Sequence, residues 1–372
     1  MKDIVVVGAG KIGATIARLL THCGDYRVKL ADRSAAQLAA VEPHAALSLH
    51  PIDITDPKAL DGLLTGTFAV LSAAPFHLTT AIAESAARTG VHYLDLTEDV
   101  ESTRRVKALA AKAAESGAST AFIPQCGLAP GFISIVASDL AARFETLDSV
   151  RMRVGALPQY PSNALNYNLT WSTDGVINEY IEPCEAIVEG RLSHVPAMEE
   201  REEFSLDGVT YEAFNTSGGL GTLCETLEGR VRTLNYRTIR YPGHAAIMKA
   251  LLNDLGLRNR REVLKDILEH ALPSTTQDVV IVFVTVSGRR DGRLVQETYA
   301  NKIYSAVVAG RMMSAIQITT AASIAAVLDM LAQGALPTTG FVRQEDIPLD
   351  AFLANRFGAH YAQDRLSERR AG

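Results

Sequence analysis

A glycine-rich turn and an acidic residue near the N-terminus have the types and spacing needed to bind a dinucleotide. The apolar strand Ile4–Val7 leads into Gly8-Ala9-Gly10-Lys11-Ile12-Gly13, which opens a predicted helix over residues 11–20. Glycines in this pattern allow a tight turn, close approach of the backbone to a pyrophosphate and close packing of the helix, whose N-terminus favours phosphate. Asp32 ends the next apolar strand, where a carboxylate accepts hydrogen bonds from ribose hydroxyls.

Other residues at the ends of predicted strands extend this cofactor site. In open parallel sheets the ligand lies at the carboxyl ends of the strands. The further candidates there are Arg33, Asp53, Ile54, Ala73, Ala74 and Pro75. Asp32 repels a 2′-phosphate and favours NAD, whereas Arg33 could pair with such a phosphate, so NADP is not excluded. Asp53 has an equally good alternative, as a cap for the helix that begins near residue 57.

Asp95 and His244 are the candidates for acid–base catalysis. Oxidation at a C–N bond needs an amine that has lost its proton, a hydride acceptor and water to hydrolyse the imine, so a base must be positioned. Asp95 follows an apolar strand and is expected near the reactive end of the cofactor. His244 could carry a proton near neutral pH. The structural alternatives are a helix cap for Asp95 and a turn residue for His244.

Arg240 is the candidate for binding a substrate carboxylate, because a guanidinium can hold a carboxylate with two hydrogen bonds. Strand alternation predicts that Thr238 and Arg240 share one face, with Arg237 and Ile239 on the other. A surface ion pair is the alternative for Arg240. The other candidates for substrate contacts are Tyr167, Asn168 and Tyr241.

The elements that must position these residues indicate an α/β protein with two domains. Strands and helices alternate over residues 1–125, the pattern of a doubly wound Rossmann sheet. Residues 126–305 alternate as strands around the hairpin signal Asp291-Gly292 and predict a separate α/β domain with a mixed or antiparallel sheet, which we expect to serve substrate binding and oligomerisation. We expect residues 306–345 to return a buried helix to the first domain and residues 346–372 to form a tail.

Composition narrows the class of protein. A net charge of -6 without basic runs argues against nucleic acid as a partner. The four cysteines are far apart and lack metal-ligand spacing, so we predict reduced thiols and no metal site. Without a leader pattern or an uninterrupted apolar run of about 18 residues, we expect a cytoplasmic protein with no membrane span.

Five segments together resemble the saccharopine dehydrogenase-like family, which includes the lysine 6-dehydrogenases and the saccharopine dehydrogenases. The segments are Gly127–Gly131, Val154–Pro158, Leu165–Asn168, Ala213–Gly219 and Arg237–His244. The resemblance implies a Rossmann domain with an inserted substrate domain. It also implies NAD-dependent oxidation of the ε-carbon of lysine, or of a secondary amine derived from lysine, to 2-aminoadipate 6-semialdehyde. The substrate-binding arginine of the family corresponds to Arg240, and its strand-end substrate contacts correspond to Asp95, Leu96 and Thr97.

Several alternatives stay open at this point. Saccharopine differs from lysine by a glutamate moiety, which would need further cationic groups such as Arg33, Arg237 or His244. A carboxynorspermidine-type dehydrogenase of polyamine synthesis is a third reading, and an NAD-binding regulator without turnover is a fourth. We expect a small amino-acid substrate in each enzymatic case and a homo-oligomer, most simply a dimer.

Overall fold

The structure is a computed structural model that describes residues 1–362. It contains two compact units. Unit 1 consists of residues 1–135, 308–311 and 317–360. Unit 2 consists mainly of residues 136–307 with 312–316.

The helices and strands follow one another along the chain in three runs. The first run is β1 (Lys2–Val7), α1 (Lys11–His22), β2 (Tyr26–Asp32), α2 (Ala35–Ala39), β3 (Leu47–Pro51), α3 (Pro57–Leu64), β4 (Ala69–Ser72), α4 (Phe76–Thr89), β5 (His92–Asp95), α5 (Val100–Glu115), β6 (Ala121–Ile123) and α6 (Phe132–Ala141). The second run is β7 (Thr146–Pro158), α7 (Thr173–Ile181), β8 (Cys184–Val188), β9 (Arg191–Val195), β10 (Glu202–Leu206), β11 (Val209–Asn215), α8 (Leu223–Leu227), β12 (Val231–Arg240), α9 (His244–Lys249), α10 (Arg261–Ala271), β13 (Asp278–Arg290) and β14 (Arg293–Tyr304). The third run is β15 (Ala306–Val308), β16 (Arg311–Met313), α11 (Ala315–Ala332), β17 (Gly340–Phe341) and α12 (Leu349–Ala354).

Unit 1 is built on a parallel sheet of seven strands in the order β17-β6-β5-β4-β1-β2-β3. The chain winds outward from β1 to β3, then crosses to β4 and winds outward in the other direction to β6. The strand order therefore reverses between β1 and β4, which is the position where doubly wound sheets bind ligands. The buried run Ile4–Val7 explains why β1 lies at the centre, since a parallel strand is covered on both faces. The predicted doubly wound Rossmann fold is confirmed.

Unit 2 is built on a mixed sheet in the order β10-β11-β12-β7-β13-β14, with β8 paired to β12 and to β9. Only β7 and β12 pair in parallel, while the other neighbours are antiparallel. The hairpin between β13 and β14 turns at Asp291 and Gly292, whose φ angles of 51° and 72° match a tight two-residue turn. Buried apolar side chains from α7, α9 and α10 pack around Phe214 of β11.

The last long helix, α11, is close to the buried helix predicted over residues 314–333. Within unit 2, the Asp278 carboxylate accepts hydrogen bonds from the N–H groups of Ala315 and Ile316 at 2.5 and 3.0 Å and so caps the start of α11. Among the described residues, α11 alone has the length and composition to cross a membrane, yet 83% of it is buried inside the protein, as in a core helix.

The segment predicted as a tail from residue 346 is folded over much of its length. It contains α12 and a short 3-10 helix over Gly358–Tyr361. Its aromatic residues explain this, because Phe352 and Tyr361 are fully buried and Phe357 is nearly so. The rest of the predicted tail, residues 363–372, lies outside the described part of the chain.

Candidate functional site

Two glycines of the N-terminal turn are required by the fold itself. Gly8 has a φ of 101°, and a Cβ atom there would lie 2.6 Å from the Ala73 carbonyl oxygen. A Cβ at Gly13 would lie 1.8 Å from the Gly8 carbonyl oxygen. Both positions are therefore closed to any larger residue. A Cβ at Gly10, in contrast, would meet no atom within 4 Å, so the outer side of the turn is open for a ligand.

The N-terminus of α1 is suited to hold a pyrophosphate. Gly10 occupies the N-cap position and has no side chain that could bond the first N–H groups of the helix. Those N–H groups belong to Lys11, Ile12 and Gly13, and together with the helix dipole they favour an anion. The residues present therefore fit a dinucleotide, as the sequence predicts.

Asp32 holds the turn in place, and its ribose contact stays a prediction. Its carboxylate accepts hydrogen bonds from the Ala9 N–H at 2.8 Å and from the Ser34 N–H at 2.7 Å. A carboxylate has about four lone-pair sites, so the two backbone bonds leave capacity for hydroxyl donors. The sequence did not indicate this second role, in which Asp32 connects the ends of β1 and β2.

The remaining cofactor candidates fall into different environments. Arg33 is exposed, whereas Ile54 packs in the core of unit 1. Asp53 is exposed and accepts hydrogen bonds from the Thr55 N–H and hydroxyl, which lower the pKa of its carboxyl group. These bonds form a local turn and do not cap α3, because the N-cap of that helix is Asp56, which accepts from the Lys58 N–H at 3.0 Å. Ala73, Ala74 and Pro75 form the turn from β4 to α4, next to Gly8.

Asp95 is almost fully buried at the end of β5, and each of its oxygens already has a donor. The carboxylate accepts hydrogen bonds from the Tyr93 hydroxyl at 2.8 Å, the Gln125 N–H at 2.8 Å and the Thr97 N–H at 3.0 Å. Burial raises the pKa of Asp95 to about 6, although these bonds act in the opposite direction. Such a pKa suits a base near neutral pH, but the contacts are those of a structural tie, so a catalytic role for Asp95 stays a prediction.

Leu96 and Thr97 follow Asp95 and lead into α5. The Thr97 hydroxyl accepts a hydrogen bond from the Asp99 N–H at 3.1 Å, and Asp99 caps the helix. The Leu96 side chain lies against Gly127 in the Gly127–Gly131 turn. Their contact with substrate stays a prediction.

Arg240 lies at the end of β12 in unit 2 and is only 2% exposed. Its Nε donates to the Tyr180 hydroxyl at 2.8 Å and its Nη1 donates to the Ile239 carbonyl at 2.8 Å. The guanidinium carbon lies 5.0 Å from the ring centre of Tyr167. Within residues 1–362, no carboxylate forms an ion pair with Arg240. A buried guanidinium in this state fits an acidic ligand group.

The carboxylate on the neighbouring strand, that of Glu212, bonds to groups other than Arg240. Glu212 of β11 is the direct partner of Arg240 in the strand ladder. Its carboxylate accepts hydrogen bonds from the Gly243 N–H at 3.2 Å and the Ala245 N–H at 2.7 Å, and it pairs with Arg201 at 3.2 Å. Glu212 thus stabilises the start of α9 and does not form an ion pair with Arg240.

The other predicted substrate residues of unit 2 separate into two environments. Tyr167 lies beside Arg240, and its hydroxyl is buried. Asn168 is buried next to it and accepts a weak hydrogen bond from Asn163. Tyr241 belongs to the opposite face, where it stacks on Tyr211 at 5.7 Å and packs with Ile239. The structure therefore separates Tyr241 from Arg240, because successive strand residues point to opposite faces.

The structure contradicts the expectation that His244 carries a proton near neutral pH. His244 is 1% exposed, and both ring nitrogens are bonded, Nδ1 to the Leu165 carbonyl at 2.9 Å and Nε2 to the Tyr180 hydroxyl at 3.0 Å. Burial first, and then the charge of Arg240, lower its pKa to about 3. A buried ring with a lowered pKa and both nitrogens hydrogen-bonded does not fit a proton carrier near neutral pH.

Arg237 is likewise removed from the group of possible substrate cations. Its guanidinium pairs with Glu200 at 2.9 Å and with Glu202 at 3.1 Å on the face of β12 opposite to Arg240. Tyr180 and Glu212 are the residues next to Arg240 that the sequence did not indicate. Their link to Arg240 depends on strand register and helix packing, for which the sequence carries no local signal.

No group of three or more histidine, cysteine or carboxylate side chains that could hold a metal ion occurs in the described residues. The four cysteines are free thiols, and Cys126, Cys184 and Cys224 are buried. Cys126 donates its S–H to the Ile123 carbonyl, and burial raises the pKa of its thiol.

Comparison with known proteins matches both parts of the chain to one family. Residues 4–121 match the family model described as the saccharopine dehydrogenase NADP binding domain, and residues 127–358 match that of the saccharopine dehydrogenase C-terminal domain. A relative named saccharopine dehydrogenase [NADP(+), L-glutamate-forming] from Saccharomyces cerevisiae is 23% identical over 274 residues, 69% of this chain and 58% of that protein. Alpha-aminoadipic semialdehyde synthase from Mus musculus is 21% identical over 77% of this chain and 31% of its own length.

The chain thus spans somewhat over half of the yeast relative and under a third of the mouse relative. Among solved structures, the apo saccharopine dehydrogenase (L-Glu forming) from Saccharomyces cerevisiae superimposes with a TM-score of 0.78 at 18% identity, covering 95% of this chain and 97% of that one. This likeness supports the two-part α/β fold. The family models cover nearly the whole described chain, and the protein belongs to the saccharopine dehydrogenase family.

Proposed function

We propose that this protein is an NAD(P)-dependent dehydrogenase that oxidises the ε C–N bond of an amino acid of the lysine type to 2-aminoadipate 6-semialdehyde. The single observation that carries the proposal is the buried Arg240 guanidinium, which has no carboxylate partner among the described residues. The open side of the glycine turn at Gly10 and the Asp32 carboxylate, which has capacity left for hydroxyl donors, support the cofactor half.

The reaction removes a hydride from the ε-carbon and a proton from the nitrogen, and water then hydrolyses the imine to the aldehyde and releases ammonia from lysine, or glutamate from saccharopine. A bound nicotinamide dinucleotide supplies the hydride acceptor. The N–H groups at the start of α1 would hold its pyrophosphate, and Asp32 would hold its ribose. Arg240 binds the α-carboxylate and thereby orients the distant ε-carbon. Because the amine must be neutral before it is oxidised, turnover rises toward alkaline pH.

We propose that NADP serves at least as well as NAD. The expectation of NAD rested on the negative charge of Asp32. Two backbone N–H groups now offset part of that charge, and the exposed Arg33 stands next to it. The name of the matching domain model and the name of the yeast relative also point to NADP.

For the substrate, we propose lysine ahead of saccharopine. The glutamate moiety of saccharopine needs further cations, yet Arg237 is paired with two glutamates and His244 is neutral. Saccharopine stays the second candidate, supported by the names of the family models and of the yeast relative. A homodimer and a cytoplasmic location also stay proposals, the first of which sedimentation would measure.

The first test follows the absorbance of the reduced cofactor at about 340 nm with lysine, saccharopine and carboxynorspermidine, each with NAD and with NADP. Formation of the reduced cofactor with lysine or saccharopine is expected. Turnover only with carboxynorspermidine would favour the polyamine reading. Tight dinucleotide binding without turnover on any of the three would favour a regulator.

The second test replaces the carboxylate-binding residue. Arg240→Ala should raise the KM for the amino-acid substrate on the order of 100-fold, because a hydrogen-bonded charge pair is lost, while the KM for the cofactor stays the same. Arg232→Ala is the matched control, since this arginine lies on the same strand, is half exposed and forms surface ion pairs. Equal effects of Arg240→Ala on both KM values would contradict carboxylate recognition.

A further inference from the structure

Three buried side chains of unit 2 form a chain of hydrogen bonds that has only one possible direction. The Leu165 carbonyl can only accept, so His244 Nδ1 carries the ring proton and donates it at 2.9 Å. The neutral ring then leaves Nε2 as an acceptor, and the Tyr180 hydroxyl must donate to it at 3.0 Å. The Tyr180 oxygen is thereby left to accept from Arg240 Nε at 2.8 Å.

The residues around His244 keep the direction of these hydrogen bonds fixed. The ring of His244 packs against Tyr167, Tyr180 and Phe214. The charged groups near it are Arg240, which disfavours a second proton on the ring, and Glu212, whose carboxylate is bonded to the helix start at Ala245. Glu179 acts electrostatically on Arg240 and on Tyr180.

The same hydrogen bonds also determine which edge of the Arg240 guanidinium is available to a ligand. A guanidinium has five N–H donors. Tyr180 takes the donor on Nε and the Ile239 carbonyl takes one on Nη1. The remaining donors are on Nη1 and Nη2, the edge that can hold both oxygens of a carboxylate.

We propose that Tyr180 and His244 are positioning residues that hold Arg240 with its Nη1–Nη2 edge free for the α-carboxylate of the substrate. This proposal rests on the proposed function, because it assigns the carboxylate to an amino-acid substrate. It turns His244 from an expected proton carrier into a fixed acceptor. The affinity for the carboxylate, and hence selection against amines that lack one, depends on a tyrosine and a histidine that do not touch the substrate.

The kinetic test removes hydrogen-bonding groups from Tyr180 and His244 one at a time. Tyr180→Phe keeps the ring and deletes only the hydroxyl, and it should raise the KM for the amino-acid substrate on the order of tenfold, with kcat and the KM for the cofactor changed about twofold or less. His244→Phe should do the same. His244→Gln offers a carbonyl acceptor in place of Nε2 and should restore most of the affinity.

A matched control and two contrary outcomes make this test decisive. His270→Gln is the control, because this histidine is mostly exposed on α10. An unchanged KM in Tyr180→Phe would overturn the positioning role. A loss of kcat of about 100-fold or more in both His244 variants, with an unchanged KM, would identify His244 as a proton carrier instead.

A second measurement does not depend on turnover. Nitrogen NMR of the labelled histidines, assigned with the His244→Gln variant, should show His244 protonated on Nδ1 only and unchanged between about pH 5.5 and 9. In Tyr180→Phe the Nε2 resonance should shift, because it loses its donor. A ring that titrates in this range, or that is protonated on Nε2, would overturn the proposal. If the wild-type protein oxidises none of the amines, the proposed function fails while this spectrum still reports on the chain.

Discussion

Asp32 shows how one side chain can serve the fold and the ligand together. The sequence predicts its ribose contact from position alone. The structure adds the hydrogen bonds from Ala9 and Ser34, which hold the glycine turn against the end of β2. We therefore expect a substitution at Asp32 to act on the ribose directly and on the pyrophosphate through the shape of the turn.

Asp32→Ala should weaken NAD binding about tenfold, because it removes a charged acceptor and loosens the turn. The loss for NADP should be smaller, since the same change removes repulsion of the 2′-phosphate. Calorimetric titration with both dinucleotides measures the two affinities. Asp254→Ala, at an exposed position of unit 2, is the control. A larger loss for NADP than for NAD would show that Asp32 does not oppose the phosphate.

Asp95 is a buried carboxylate at the end of a strand. Asp95 joins the end of β5 to Gln125 just beyond β6, where the backbone has a φ of 63°. The hydroxyl of Tyr93, on the same face of β5, completes the set of donors. A single carboxylate thus fixes the edge of the sheet where a cofactor is expected.

Replacing Asp95 should change how stability depends on pH. The pKa of Asp95 rises from 3.8 to about 6 in the folded protein, so ionisation disfavours the folded state, and its stabilising contribution is lost as the pH rises through 6. Asp95→Asn removes this titration. Its carbonyl can still accept from Thr97 and Gln125, while its amide donates to a reoriented Tyr93 hydroxyl.

The unfolding free energy of the wild type minus that of Asp95→Asn should fall by about 1–2 kcal/mol between about pH 5 and 7.5. Urea unfolding at several pH values measures this difference. A constant difference would show that Asp95 keeps an ordinary pKa. A loss of kcat of about 100-fold or more in Asp95→Asn would support Asp95 as the base.

At the level of helices and strands, the sequence could predict part of the fold. Buried β-branched runs and turn glycines place the strands of unit 1 closely, because both signals are local. Strand alternation correctly separates Arg237 from Arg240, and the same count, continued by one residue, would have separated Tyr241 as well. The ladder that sets Glu212 opposite Arg240 is not local, and no residue pattern within one strand reveals it.

At the level of the whole chain, unit 1 is completed by residues that come more than 300 positions after its first strand. Asp329 of α11 is 1% exposed and accepts hydrogen bonds from the Tyr26 hydroxyl, Arg356 and Asn355 at 2.6, 2.6 and 2.8 Å. It connects β2, α11 and the segment after α12. The sequence shows the apolar faces of this region but not this polar centre, whose members are distant in the chain.

Asp329→Ala should destabilise the protein by about 3 kcal/mol, because it leaves buried donors without an acceptor. Thermal and urea unfolding measure the loss, and Asp350→Ala, at an exposed position of α12, is the control. A change below about 1 kcal/mol would mean that the C-terminal segment contributes little to unit 1.

Gly10 has a thermodynamic consequence that the other turn glycines do not share. Its φ of -67° and ψ of -175° are open to any residue, and a serine side chain there would meet no atom and could cap α1. Such a residue would also restrict the unfolded chain, so the free protein is less stable than its own fold permits, by about 0.5 kcal/mol. Binding of a ligand to the exposed backbone of the turn offsets this lower stability. The residue that would make the free protein more stable is therefore not the residue that favours ligand binding.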